Sequence, residues 1–225
     1  MIATLQLNMN KNLFIRDPQE TDLGKRIVSE SIRLIDQIGF EAFTFKKLAV
    51  SIESTEASIY RYFENKHKLL IYLIAWYWAW LEYLIDYHTH NLPDAESKLN
   101  TALRIVSEKK AQDPMFPEVD EAALHRIVIA ESDKTYLTKQ VDADNKEGLF
   151  KGYKSLCKRI ASYISEMRPN YQYPHSLVST VLEAAHQQLF FAKHLPSLTE
   201  VNENSSSHDQ NFEFLRHLVF KTISK

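Results

Sequence analysis

The sequence predicts an all-α protein, and three observations carry that expectation. Only four glycines and seven prolines occur in 225 residues, too few for the tight turns of a many-stranded sheet. Long stretches rich in Leu, Ile, Ala, Glu and Lys repeat their apolar residues at helical spacing. Hydrophobic residues make up 44% and charged residues 25%, an ordinary globular balance with enough chain for one large domain or two small ones.

Residues 1–21 read as a loose N-terminal arm. The first helix is predicted from about Asp22 to Ile38, with Ile27, Ser31, Leu34, Ile35 and Ile38 on one face. Gly39 supplies the left-handed position that ends a helix, and Phe40 can fold back onto the last turn. Thr44 is placed to cap a short second helix whose Phe45, Leu48, Ala49 and Ile52 point inward. A polar turn at Glu53-Ser54 leads to a third short helix from Thr55 to about Phe63. Asn65 caps a fourth helix, which carries an aromatic run and fades near Pro93. Amphipathic helices follow at about 94–111, 118–133, 144–167, 174–194 and 208–223, about nine in all. Breaks fall at Pro114, Pro117, Pro169, Pro196 and the polar stretch 202–209.

Cys157 stands alone, so no intrachain disulfide or multi-cysteine metal site is expected, and a small buried hydrophobe is its reading. The N-terminus lacks the basic start and apolar run of a signal peptide. Leu69 to Leu81 carries no charge, but its 13 residues fall short of the roughly 20 that span a bilayer. It is expected to be a buried helix, with no membrane partner and a cytoplasmic location. Net charge is −2; residues 44–68 hold five Lys or Arg against three Asp or Glu. So small an excess does not identify a nucleic-acid partner, and that case rests on spacing.

The informative segment is Thr44 to Leu70, two short helices joined by a tight turn after a longer supporting helix. That is the helix-turn-helix layout. In its second helix Thr55, Glu56, Ala57, Ser58, Tyr60 and Arg61 can face outward, while Ile59 and Phe63, four apart, anchor inward. Short side chains at 55, 57 and 58 would let the backbone approach a groove. Lys66, His67 and Lys68 then occupy the first turn of the fourth helix. Cations there oppose the helix dipole at roughly 0.3–1 kcal/mol each. A DNA phosphate over the same helix start would reverse that sign. Tyr60 and Tyr62 can add hydroxyl bonds to the DNA backbone.

Gly39, Phe43-Thr44, Leu48-Ala49, Ser58-Ile59-Tyr60, Tyr62-Phe63, Asn65-Lys66 and Leu69-Leu70 stand in an order that resembles the tetracycline-repressor family over about 22–82. The resemblance implies a helix-turn-helix DNA-binding domain at 22–82, with the motif at about 44–63. It also implies a helical ligand-binding and dimerisation domain at 83–225. It assigns phosphate contacts to Thr44, Thr55, Ser58, Tyr60, Tyr62 and Lys66, and base contacts to Glu56, Ala57, Tyr60 and Arg61. Lys46 and Lys47 are counted in the same surface. Two departures stand out: Glu53-Ser54 occupies the usual Gly-Val turn, and His67 replaces the usual acid. A non-glycine in a left-handed turn costs on the order of 1 kcal/mol.

The expected function is a sequence-specific regulator, a repressor released from a palindromic, double-stranded operator by a small-molecule effector. The alternatives are a dimeric, regulator-derived protein acting through partner contacts and an all-α enzyme. A homodimer is expected through the apolar helices at about 174–194 and 208–223. Trp76, Trp80, Tyr83, His125, Tyr153, His186 and Phe190 are the candidate effector contacts. His186 and His194, eight apart, are too far apart to share a metal, and no phosphate-cradling glycine loop or nucleophile elbow occurs. No cofactor, metal site or catalytic residue is expected.

Overall fold

The computed structural model describes residues 6–203 and 206–224. The first five residues of the arm, two residues of the polar stretch (204 and 205) and residue 225 lie outside the described residues. Among the described residues there is no strand; eleven α-helices and three short 3-10 turns account for the regular structure. The chain forms two compact units, one of residues up to Ala79 with Lys110–Gly152, the other of Trp80–Lys109 with Tyr153–Lys225.

In the first unit, helix α1 (Asp22–Ala42) is capped by the Thr21 hydroxyl, which accepts from the Gly24 amide. The helix is broken at Gly39, whose φ of 75° is open to glycine at little cost. The buried face is Gly24, Ile27, Val28, Ser31, Ile32 and Ile35. Ile38, expected inside, is 40% exposed because the helix turns away at Gly39 before that side chain reaches the core. Phe40 folds back and is buried. Helices α2 (Phe45–Ser51) and α3 (Glu56–Tyr60) follow. Helix α4 (Lys66–Thr89) is long and apolar enough to cross a membrane by length and composition, yet 72% of that apolar window is buried. Leu69, Leu70, Leu73 and Tyr77 are fully enclosed, so its uniform apolarity is that of a core helix.

The predicted helix at 118–133 is two pieces, α6 (Glu121–Glu131) and α7 (Asp133–Tyr136). The one at 144–167 is also divided, into α8 (Val141–Lys146) and α9 (Lys151–Met167). Gly148, at φ 76°, makes that second break. Helix α6 is tied to α1 by Arg126, which donates to both carboxylate oxygens of Asp36 at 2.9 and 2.8 Å. It is also tied by Glu131, which accepts from the Phe40 amide at 3.1 Å.

The arm is not loose over its described residues. Leu7, Met9 and Leu13 are buried, and the Asp17 carboxylate caps a turn that begins with Pro18. The Pro18 carbonyl lies so close to α1 that a Cβ at Gly24 would stand 2.4 Å from it. Apolar residues on a two-residue spacing, and a missing side chain in the facing helix, dock this segment.

The second unit packs α5 (Ala95–Ser107), most of α9, α10 (Pro174–His194) and α11 (Ser207–Ile223) around Leu99, Leu103, Ile160, Leu182, Leu215 and Val219. Pro174 at the start of α10 has the preset φ that a first helical position accepts. Asn211 on α11 donates to the Ala185 carbonyl of α10 at 2.9 Å inside this core. Helix α5 stops four residues earlier than predicted, since the chain runs irregularly through Pro114 and Pro117 before α6.

Candidate DNA-binding site

Each short helix of the motif starts on a threonine. Thr44 Oγ1 accepts from the Lys47 amide at 3.2 Å, and Thr55 Oγ1 accepts from the Ser58 amide at 3.2 Å. Between them α2 ends in a Schellman arrangement. The Ser54 amide donates to the Ala49 carbonyl at 2.9 Å and the Glu53 amide to that of Val50 at 3.2 Å. Glu53 holds the left-handed position at φ 50°. The turn therefore keeps the usual geometry with a side chain where glycine is cheapest. Glu30 of α1 bonds Arg33 and Ser51, and the Arg33 contact holds its carboxyl below the ordinary carboxylate range.

Ile59 and Phe63 are fully buried, which fixes the rotation of α3. Thr55, Glu56, Ala57, Tyr60 and Arg61 consequently face solvent, with Ser58 half-buried beside them. The Thr55 and Ser58 hydroxyls lie 2.9 Å apart. Tyr60 packs its ring edge against Phe45 at 5.1 Å while 48% of the residue stays exposed. Thr44, Lys46 and Lys47 are exposed at the start of α2, and the Lys47 ammonium donates to the Ala42 carbonyl at 2.8 Å.

Two of the expected contacts sit elsewhere. Tyr62 is only 2% exposed, and its hydroxyl lies 2.7 Å from that of Thr21. Its carbonyl accepts from the Ile15 amide at 2.8 Å, and the Arg16 guanidinium lies 5.6 Å over its ring. Tyr62 is an internal anchor for the arm. Lys66 is half-buried, and its ammonium donates to the carbonyls of Phe40, Glu41 and Phe43 at 3.2, 3.3 and 3.3 Å. Those groups close α1, so the charge that opposes one helix dipole is placed against the negative end of another. His67 and Lys68 face acids of the α8 segment. Lys68 donates to Glu147 at 2.8 Å and both lie near Asp144, at 3.6 and 3.7 Å. No phosphate is needed to account for these three cations.

Residues 27–73 match the family model described as bacterial regulatory proteins, tetR family. The likeness to that family is carried by this segment. The matched span begins in α1 and ends in α4, so it contains the whole helix-turn-helix. The fold of the chain is also that of solved regulators. The fatty acid degradation regulator FadR from Bacillus halodurans superposes with a TM-score of 0.63 at 15% identity, covering 86% of this chain and 92% of that one. The ketosteroid transcriptional regulator KstR2 of Mycobacterium tuberculosis gives 0.58 at 11%, covering 98% of each chain. AibR in complex with isovaleryl coenzyme A and operator DNA gives 0.57 at 14%, covering 85% and 95%. No curated protein matches the sequence.

The candidate effector contacts divide between the units. In the first, Trp76 is buried edge-on to Phe116 at 5.3 Å and lines a small cavity of about 90 Å³ with Tyr72 and Val28. His125 is buried with Nδ1 2.6 Å from the Tyr77 hydroxyl. In the second, Trp80 and His186 are buried and Tyr83 is half-buried against Tyr87. The Tyr153 hydroxyl donates to Glu183 at 2.8 Å. Phe190 is 37% exposed and stacks beside His194 at 4.7 Å. Among the described residues no group of three metal-ligating side chains forms.

Proposed function

We propose that this chain is a transcriptional repressor that binds a palindromic operator as a homodimer and leaves it on binding a small-molecule effector. The observation that carries the reading is the outward face of the motif, in which Thr44, Lys46, Lys47, Thr55, Glu56, Ala57, Ser58, Tyr60 and Arg61 are exposed or half-exposed over a fully buried Ile59–Phe63 anchor. Small side chains at 55, 57 and 58 give close access to a groove floor, and Tyr60, Lys46 and Lys47 flank it for phosphates. Arg61 is assigned to base edges.

The homodimer is assigned to α10 and α11, where Phe190, Leu195 and Phe214 are exposed beside the half-exposed Leu218. A C2 pair would set two α3 helices roughly 34–36 Å apart, one turn of duplex. Effector binding is assigned to the second unit, where Trp80, Tyr83, Tyr153 and His186 combine aromatic area with polar tips. AibR, whose structure holds isovaleryl coenzyme A, is the precedent for such a ligand in a like fold. The action is placed in the cytoplasm, and no enzymatic activity is assigned.

Fluorescence anisotropy on DNA flanking the gene, across a salt series, tests the reading. Tight, salt-steep binding that resists competitor DNA and is lost in Arg61→Ala is expected. Weak binding equal on every sequence, and indifferent to Arg61, would refute it. Light scattering at micromolar concentration checks the dimer; a monomeric mass removes that part.

A further inference from the structure

Within the first unit the arm meets the helix-turn-helix just beyond α3. The Ile15 amide donates to the Tyr62 carbonyl at 2.8 Å, and the Asp17 carboxylate accepts from the Gln19 amide at 2.9 Å. The backbone is thus held on both sides of Arg16, whose guanidinium lies 5.6 Å over the Tyr62 ring. That distance is within the roughly 6 Å of a cation–π contact. Tyr62 directly follows Arg61, the residue that closes α3. Arg16 and Arg61 are both exposed, so two guanidiniums stand at the end of the helix assigned to the DNA groove.

The charges around this point differ in what they already hold. Lys66 donates to three carbonyls at the end of α1. His67 and Lys68 face Asp144 and Glu147. Asp17, next to Arg16, is occupied by the Gln19 amide. Arg16 joins no ion pair among the described residues, with the exposed Glu64 or any other acid. A cation–π contact engages no acceptor oxygen, so the guanidinium keeps its donor fork, whose planar geometry matches two oxygens of one phosphate. A free arginine side chain carries about 2 kcal/mol of rotamer entropy. The bonded arm and the tyrosine ring reduce what is left to lose on binding. Arg16 is carried by the arm and not by α3, which places it with the groove's rim, where phosphates lie, rather than with the base edges.

We propose that Arg16 binds a phosphate of the DNA backbone, so that the arm is part of the DNA-binding surface and Tyr62 is the buried platform that aims it. This rests on the reading of the chain as a DNA-binding regulator and adds to it a contact from outside the helix-turn-helix.

The experiment is anisotropy with the full chain across a salt series, on a duplex of the DNA flanking the gene and on one of scrambled sequence. Arg16→Gln should lower the salt slope by about one for each protomer on the duplex. At low salt it should weaken both duplexes by a similar factor, because a phosphate carries no sequence. Arg16→Lys, which keeps the charge, should restore most of the slope. Urea unfolding of the same variants separates folding from binding, since a purely structural arginine would shift the unfolding midpoint and leave the slope untouched. Wild-type binding that is lost in Arg61→Ala but keeps its slope in Arg16→Gln overturns this proposal alone. A loss in Arg16→Gln confined to the flanking sequence overturns it too, by placing the side chain on bases. Wild-type binding that is weak and equal on both duplexes, and keeps its slope in Arg16→Gln, removes the regulator reading and this contact together.

Discussion

The hydroxyls of Thr21 and Tyr62 meet at 2.7 Å, joining the cap of α1 to the chain just beyond α3. Thr21 also accepts from the Gly24 amide, so one threonine closes a helix and holds the tyrosine. With the Ile15–Tyr62 backbone bond, this pair fastens the arm directly beside α3.

Tyr62→Phe removes one buried hydroxyl and leaves its partner with one bond fewer. A loss of about 1 kcal/mol in urea unfolding is expected. Because Tyr62 is enclosed, the salt dependence of DNA binding should be unchanged. A slope reduced by about one would instead place that hydroxyl on a phosphate.

Lys66→Ala should act the same way for a different reason. Three carbonyls at the end of α1 lose their donor, with an expected cost of about 1–2 kcal/mol and little change in salt slope. Arg61→Ala, on the exposed face, should do the opposite: stability unchanged, DNA affinity and discrimination reduced. Parallel unfolding and anisotropy series on the two variants read out the contrast.

Gly24→Ala places a Cβ 2.4 Å from the Pro18 carbonyl oxygen, and backbone must move to admit it. Destabilisation of about 1–3 kcal/mol is expected. Limited proteolysis is expected to cut within residues 7–20 faster than in the wild type, whose Leu7, Met9 and Leu13 are buried. Equal resistance in the variant would mean that the arm can shift without detaching.

Glu53→Gly tests the left-handed turn. Glycine relieves the strain at φ 50° while the two Schellman bonds remain, so a gain of about 1 kcal/mol in stability is expected. Glu53→Ala, which keeps a Cβ, should show no such gain.

These contrasts also mark what the sequence could disclose. Thr44, Thr55, Gly39 and the Ile59–Phe63 pair act within a few residues of themselves, so caps, breaks and helix rotation are legible along the chain. The TetR-type match over 27–73 rests on the same local signals. The partners of Tyr62 and Lys66, Thr21 and the end of α1, lie 41 and 23–26 residues away, so neither contact is legible along the chain. The division of 144–167 depends on Gly148, whose carbonyl and that of Glu147 accept from Asn10 at 2.8 and 2.9 Å. Long-range polar contacts of this kind leave no periodic trace in a sequence.

Glu121 lies in the first turn of α6. Its side chain is enclosed; Oε2 accepts from the Asp113 amide at 3.0 Å while Oε1 has no hydrogen-bond partner. Burial pushes its carboxyl up to about 7, with the Asp113 bond opposing and the nearby charges of Asp113 and Asp120 adding to the rise. An acid that binds its proton more tightly when folded makes the native state the richer in protons between the unfolded and folded values. Stability should therefore fall as pH rises from about 4.5 to about 7 and level off above. Glu30, Glu41 and Asp94 are shifted downward and contribute at lower pH, where stability is lost as they protonate. Glu121→Gln keeps an acceptor for Asp113 and cannot ionise. It should flatten the decline between pH 5 and 7 and exceed the wild type in stability at pH 8 by urea unfolding. A decline that persists in the variant would assign that titration to another group.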